Sequence, residues 1–471
     1  MLRRRAPVII AVTGSVGKTS TKEAIFAVFS QHFRTAKNEK IYRGEADIAL
    51  TLLGLRPTKA RLLGWLASPL KGMFRVILPD PYPEVFVLEM GVDRPYDLDK
   101  FLQFIHPSVS VITAIGDIPV HVEFFAGPEA LAREKAKIVK ILGVEECAIL
   151  NFDDETVREM HEKTRARVMT YGFGEGADVR ASNYKLLTGK ISGELVPRGI
   201  TFKLEYRESF VPVRIHGAFG KQHVYAALAA AAAGIARGLN TIEVGEALSA
   251  YEAPPGRLRF LPGIKGTSLL DDTYNASPLS MHAALDVLGE LSAGRQTVPA
   301  ARKIAVLGDM LEIGKYTIQA HKAIGRRARN VVDILFTVGA RSRFIAEEAI
   351  AEGMNEENVF SFAAAEDAGR KLQEILQKGD LVLVKGSQLM RMEKVVEEVM
   401  AEPQKAKELL VRQEPYWKEE NFSVAGEMAT RLLGIAFIIA GVISLFLPFL
   451  PGIVFLIIGI SMISRGNKSK K

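Results

Sequence analysis

Near the amino end, Thr13-Gly14-Ser15-Val16-Gly17-Lys18-Thr19 sets two glycines, a lysine and a hydroxyl in one short run. That combination can hold a polyphosphate. Glycines let backbone N–H groups close on an anion, Lys18 supplies a point charge for the terminal phosphates, and the Thr19 hydroxyl can ligate Mg²⁺. The apolar residues before Thr13 read as the strand that feeds the turn, and residues 21–30 as the helix whose N-terminus faces the phosphates. Val12 stands where the longer phosphate-loop pattern would carry a further glycine, so the run is a Gly-x-x-Gly-Lys-Thr variant.

Such a loop needs a parallel sheet behind it. Apolar runs of strand length at 85–89, 109–114, 148–151, 304–308, 334–338 and 381–384 alternate with helical stretches, which predicts an α/β protein with parallel sheets. Between 177 and 217 the pattern changes to alternating polar strands with turns at Gly189, Gly193 and Gly199, a small antiparallel insert; helix resumes in the alanine-rich 224–234. Ala253-Pro254-Pro255-Gly256 stops one element before a new strand at 267–270, so the chain divides into domains 1–252 and 253–400. A charged linker is expected over 401–430.

At 471 residues the chain exceeds one typical core, and 48% hydrophobic with 24% charged residues is ordinary globular composition. The single cysteine, Cys147, excludes a disulfide framework or a cysteine-cluster zinc site and reads as a buried residue of a reducing compartment. The net charge of +7 is modest and partly terminal, in Arg3-Arg4-Arg5 and in the basic tail 465–471. These clusters suit an anionic membrane surface rather than nucleic-acid readout. Residues 431–464 are almost uncharged and strongly apolar, interrupted at Pro448 and at Pro451-Gly452. They read as a membrane segment, either one kinked span or a hairpin. Basic flanks at Arg431 and at Arg465, Lys468, Lys470 and Lys471 favour two cytoplasmic ends and hence the hairpin, on the cytoplasmic face of the cell membrane.

Further blocks follow in order: Glu89-Met90-Gly91, His121, Phe124-Phe125-Ala126-Gly127-Pro128-Glu129, the Lys135 block, Gly256-Arg257-Leu258, Asp271-Asp272-Thr273-Tyr274-Asn275, Leu307-Gly308-Asp309-Met310-Leu311-Glu312-Ile313-Gly314 with His321, and Val384-Lys385-Gly386-Ser387. In this order and spacing the chain, over about residues 7–400, resembles the Mur ligases, ATP-dependent amide ligases of peptidoglycan precursor synthesis. Within that family the aspartate-rich blocks look most like the branch that adds D-alanyl-D-alanine to a UDP-linked muramyl tripeptide. The resemblance implies a phosphate-loop ATPase domain followed by a Rossmann-like α/β domain, acting through an acyl phosphate. It implies that Gly14, Ser15, Gly17 and Lys18 hold ATP phosphates, that Thr19 and Glu89 bind one Mg²⁺, and that His121 supports a second metal with Lys135, a lysine carbamylated in many members. Arg257 and Asp272 match residues that reach the nucleotide from the C-terminal domain, and Tyr274, Asn275, Asp309, Glu312 and His321 are candidates on the substrate side.

Two departures bear on the acceptor and the base. Family members usually carry an N-terminal UDP-sugar domain, whereas here the phosphate-loop strand starts at about residue 7, so a partner supplying that function is conceivable. Ala226 stands where the resemblance implies an adenine-contacting asparagine. The partners implied are a small amine or dipeptide and a muramyl-peptide-like acceptor. Two alternatives stay open: a ligase for another acceptor, such as a polyglutamate or cyanophycin-like chain, and a membrane-tethered nucleotide-binding scaffold without ligation.

Overall fold

The computed structural model describes residues 7–38, 82–191, 194–293 and 302–411, together with Leu52. The membrane segment 431–464 and most of the charged linker lie outside these residues; among the described ones no helix is long and apolar enough to cross a membrane.

The first sheet has the order β2-β3-β1-β4-β5-β6-β7-β8-β9. Its strands are β1 (Val8–Thr13), β2 (Thr35–Lys37), β3 (Val85–Glu89), β4 (Val109–Ile112), β5 (Cys147–Asn151), β6 (Arg167–Gly172), β7 (Val179–Ile191), β8 (Glu194–Tyr206) and β9 (Ser209–His216). Pairing is parallel from β2 to β7 and antiparallel from β7 to β9. Strands β3, β4 and β5 are buried along their whole length, which explains their unbroken apolar runs. Cys147 opens β5 and is buried, and burial pushes its thiol pKa up.

Two helices cover one face, α1 (Lys18–Ser30) and α3 (Lys221–Ala236), with α2 (Pro128–Lys135) between them in sequence and packed on the other face. The alanines of α3 let α1 approach closely. A Cβ at Gly234 would already stand 3.3 Å from Val28 Cγ1. Because β1 lies between β3 and β4, the turn after β1 opens where the strand order reverses, the place where open α/β sheets leave a crevice.

The second sheet has the order β10-β11-β15-β12-β13-β14, with β10 (Arg259–Pro262) antiparallel and the rest parallel: β11 (Ser268–Asp272), β12 (Lys303–Gly308), β13 (Ile334–Val338), β14 (Val359–Phe362) and β15 (Leu381–Lys385). Helix α4 (Pro278–Ala293) and the helix Thr317–Arg329 bury an apolar face on this sheet. The start of the expected linker is folded here: Ala406 and Leu410 are buried in the same unit with Val399 and Met400.

Candidate active site

The loop after β1 is held from behind. Ser15 and Val16 donate their N–H groups to the Ala114 carbonyl at the end of β4, at 2.7 and 3.1 Å. A Cβ at Gly14 would fall 1.9 Å from Thr113 Oγ1, so only glycine fits against β4. Gly17, at φ 88°, takes the left-handed turn that starts α1 at Lys18, three residues earlier than the sequence pattern suggests.

Lys18 Nζ donates to the Gly14 carbonyl at 2.9 Å and the Ser15 carbonyl at 3.3 Å. Lys135, at the end of α2, is 1% exposed and donates to the same Gly14 carbonyl at 2.9 Å. With Lys137 and Lys140 it would ordinarily read as a solvated helix face, yet it points inward at the phosphate loop. Both lysines are drawn below the ordinary lysine value, first by burial. For Lys135 the drop is large, and the neighbouring Lys18 charge adds to it.

The register Val12↔Glu89 brings the end of β3 beside the loop, where Glu89 Oε1 accepts from Thr19 Oγ1 at 3.0 Å. Two residues not singled out from sequence hold this carboxylate. Asn38, just after β2, pairs with both backbone groups of Glu89, at 2.8 and 3.0 Å, and buried Lys22 donates to the Asn38 carbonyl at 3.0 Å while lying 3.4 Å from Glu89 Oε2. The i+3 spacing of Lys22 from Thr19 on α1 was the available signal.

From the second unit Arg257 reaches across, its guanidinium donating to Thr19 Oγ1 at 3.1 Å and lying 3.9 Å over the Tyr274 ring. Farther along the cleft His121 Nε2 is 3.3 Å from Asp93 Oδ1, and Nδ1 is 2.9 Å from Glu312 Oε2 without hydrogen-bond alignment. His121 and Glu312 both have left-handed backbones, at φ 70° and 61°.

Other expected residues sit differently. Asp272 is turned to its own unit: Oδ1 accepts from Leu258 N at 3.2 Å and Oδ2 pairs with buried Lys385 at 2.7 Å. Asn275 accepts from Ala276 N and Gln388 N, and its carbonyl accepts from Lys385 Nζ. Two substrate-side candidates have structural partners. His321 is fully buried, with Nε2 accepting from Met310 N at 3.0 Å and Nδ1 directed at the Thr317 carbonyl at 2.7 Å, which leaves no ring atom for a ligand. Asp309 caps the helix Arg343–Ala351 region through Arg341 N and Ser342 N. Both shape the loop that carries Glu312.

Among the described residues, the buried side-chain polar atoms without a hydrogen bond are Ser15 Oγ, Glu89 Oε2, His121 Nδ1 and Arg257 Nε, and all belong to this cleft. Unsatisfied buried groups are costly and rare, so their concentration here fits a polar ligand. No group of three or more His, Cys, Asp or Glu side chains able to hold a metal occurs among the described residues. One carboxylate and one hydroxyl, Glu89 and Thr19, suit Mg²⁺, which takes most of its ligands from water and substrate phosphate.

A phosphate loop at the strand-order switch, facing a second α/β unit that contributes an arginine, defines a nucleotide-dependent transfer enzyme. The Mur ligase middle domain model matches residues 12–234, and the model described as Mur ligase, glutamate ligase domain, matches residues 256–388. The chain belongs to the Mur ligase family, and it is an ATP-dependent ligase forming carbon–nitrogen bonds. It is 30% identical over 392 residues to the UDP-N-acetylmuramoyl-tripeptide--D-alanyl-D-alanine ligase of Mycobacterium leprae, covering 80% of this chain and 71% of that one. It is 29% identical over 399 residues to the ligase of the same name from Bacillus subtilis, covering 84% and 76%. A crystal structure of MurF from Acinetobacter baumannii superposes with a TM-score of 0.64 at 26% identity, covering 83% of this chain and 77% of that one. MurF ligase from Thermotoga maritima in complex with ADP shares the fold, at a TM-score of 0.63 and 23% identity.

Proposed function

We propose that this chain joins the carboxyl end of a muramyl-tripeptide-like acceptor to the amine of D-alanyl-D-alanine. The acceptor carboxylate attacks the γ-phosphorus of ATP, ADP leaves, and the amine attacks the acyl phosphate, releasing phosphate and a proton as the amide forms. Charge crowding is the difficulty in such a reaction, so the residues act by position and electrostatics. Gly14, Ser15, Gly17 and Lys18 would hold the β- and γ-phosphates, Thr19 and Glu89 would hold Mg²⁺, and Arg257 would meet the phosphates from the second unit. The metal supplies neutralisation of phosphate charge. The observation that carries the reading is the convergence of Lys18 and Lys135 on the Gly14 carbonyl and of Arg257 on Thr19, beside the unsatisfied Ser15 Oγ and Glu89 Oε2.

Lys135 suits carbamylation. Burial draws this amine well below the ordinary lysine value, which favours its neutral, nucleophilic form; the neutral amine adding CO₂ with loss of a proton would place an anion opposite Lys18. The carbamate and His121 would then support a second metal. The apolar segment 431–464, outside the described residues, supports anchoring at the cytoplasmic face of the membrane; full-length protein recovered wholly in the soluble fraction would remove that part.

The test is phosphate release by purified full-length protein with ATP and Mg²⁺, D-alanyl-D-alanine as amine, and UDP-linked or lipid-linked muramyl tripeptide as acceptor. Release is expected only when amine and acceptor are both present. Release with a glutamate chain and none with muramyl peptides would redirect the reading to another acceptor.

A further inference from the structure

Arg257 is one residue beyond a proline-rich boundary, where an arm reaching into another unit would be expected to swing freely. Its backbone is instead gripped on every side. Gly256 N donates to Asp271 Oδ2 at 3.1 Å and Leu258 N to Asp272 Oδ1 at 3.2 Å, both carboxylates from β11 of the second unit. Tyr274 N donates to the Gly256 carbonyl at 3.1 Å. Arg257 N donates to the Pro254 carbonyl at 3.2 Å, and the Arg257 carbonyl faces the first unit and is 2.9 Å from Nε2 of His223, in the first turn of α3. A carbonyl can only accept, so Nε2 carries the proton and Nδ1 accepts from the Tyr251 hydroxyl at 2.8 Å. Tyr251 itself is buried, just before the Pro254–Gly256 boundary.

We propose that His223 is a positioning residue for Arg257, the inner end of a hydrogen-bonded strut Tyr251–His223 that sets the Arg257 backbone against the first unit. The ring is fully buried, with both nitrogens committed. Burial draws its pKa down to about 4, so it stays neutral through the physiological range and keeps the one tautomer the strut requires. Arg257 is thus held to the first unit at two points: its guanidinium donates to Thr19 Oγ1 at 3.1 Å, and its backbone carbonyl accepts from His223. Displacing that backbone by an ångström would misaim the arm at a transferring phosphoryl group.

The inference rests on the reading of Arg257 as the arm that meets the nucleotide, and its test separates the two. The amide nitrogen of a glutamine reaches where ring Nε2 lies, whereas that of an asparagine reaches only as far as Nδ1. His223→Gln therefore keeps the bond to the Arg257 carbonyl and His223→Asn loses it. In the full-length enzyme His223→Asn is expected to lower kcat on the order of tenfold, with the KM for acceptor unchanged, and to weaken binding of a non-hydrolysable ATP analogue measured by calorimetry. His223→Gln is expected to restore most of both. Tyr251→Phe, which removes only the outer bond, should move both readouts in the same direction by less. In an Arg257→Met background His223→Asn should cost nothing further, because the two act as a unit. Equal losses in the Asn and Gln variants, or losses that multiply in the Arg257→Met background, would overturn the strut. If Arg257→Met alone left turnover and analogue binding unchanged, both the strut and the assignment of Arg257 would fall.

Discussion

The groups expected to hold phosphate and its metal lie on the turn after β1 and the end of β3, two segments locked into one parallel register, joined by Lys135 from α2 and Arg257 from the second unit. The far end of the cleft is built otherwise. His121 and Glu312 sit on loops of different units, each with a left-handed backbone, and come within 2.9 Å of each other, while Val122 beside His121 is buried in the second unit's core. The phosphate end is thus fixed by sheet hydrogen bonds before any ligand arrives, while the far end depends on how two loops sit against each other. Preorganisation belongs where charge develops, and adjustability where the acceptor must be admitted.

The comparison predicts its largest effect at the rigid end. Lys18→Ala should lower turnover by at least about 10³-fold, because the cation facing the loop is lost where charge is poorly screened, while ATP-analogue affinity should fall less. A Lys18→Ala enzyme with ordinary turnover would mean that the loop does not hold the transferring phosphate.

Lys135 lies between the two regions and comes next. Lys135→Ala should cost on the order of 10²-fold in turnover, the parent enzyme should depend on bicarbonate, and short carboxylic acids should return part of the variant's rate. Labelling with ¹³C-bicarbonate should give a carbamate resonance in the parent and none in Lys135→Ala. A fully active variant without additive would leave Lys135 as a mere prop for the Gly14 carbonyl.

The same contrast governs what could be read in advance. The phosphate loop is legible because its chemistry lies in one continuous run, and the strands of the parallel sheets because burial on both faces makes them continuously apolar. Lys22 and Asn38 were not legible: each is a polar residue whose role comes from a partner brought up by sheet register or helix packing. His321 shows the converse. It belongs to a block suggestive of substrate contact, but the turn at 309–317 folds back on it and uses both ring nitrogens.

At the far end, Glu312→Gln should lower kcat only roughly threefold, since Glu312 is partly exposed and its contact with His121 is unaligned. A loss as large as that of Lys18→Ala would erase the distinction between the two ends.

The last effect concerns stability and acid rather than turnover, again at the rigid junction. His223 has its folded value lowered from 6.5 to about 4, so its contribution is complete above 6.5 and is lost as pH falls through about 4, because the unfolded chain takes the proton first. The loss amounts to about 3 kcal/mol. Asp271, raised from 3.8 to about 6 chiefly by burial, has the opposite sign: the folded protein takes its proton first, so acid adds stability between about 6 and 3.8. The two nearly offset each other in the parent. Replacing His223 by glutamine removes one side of the balance, so urea midpoints of His223→Gln should gain on the parent progressively from pH 6.5 down to 4, whatever their difference at pH 7. A difference constant across that range would show that the ring is not held neutral against Arg257, and the junction would then have to be counted with the adjustable end of the cleft.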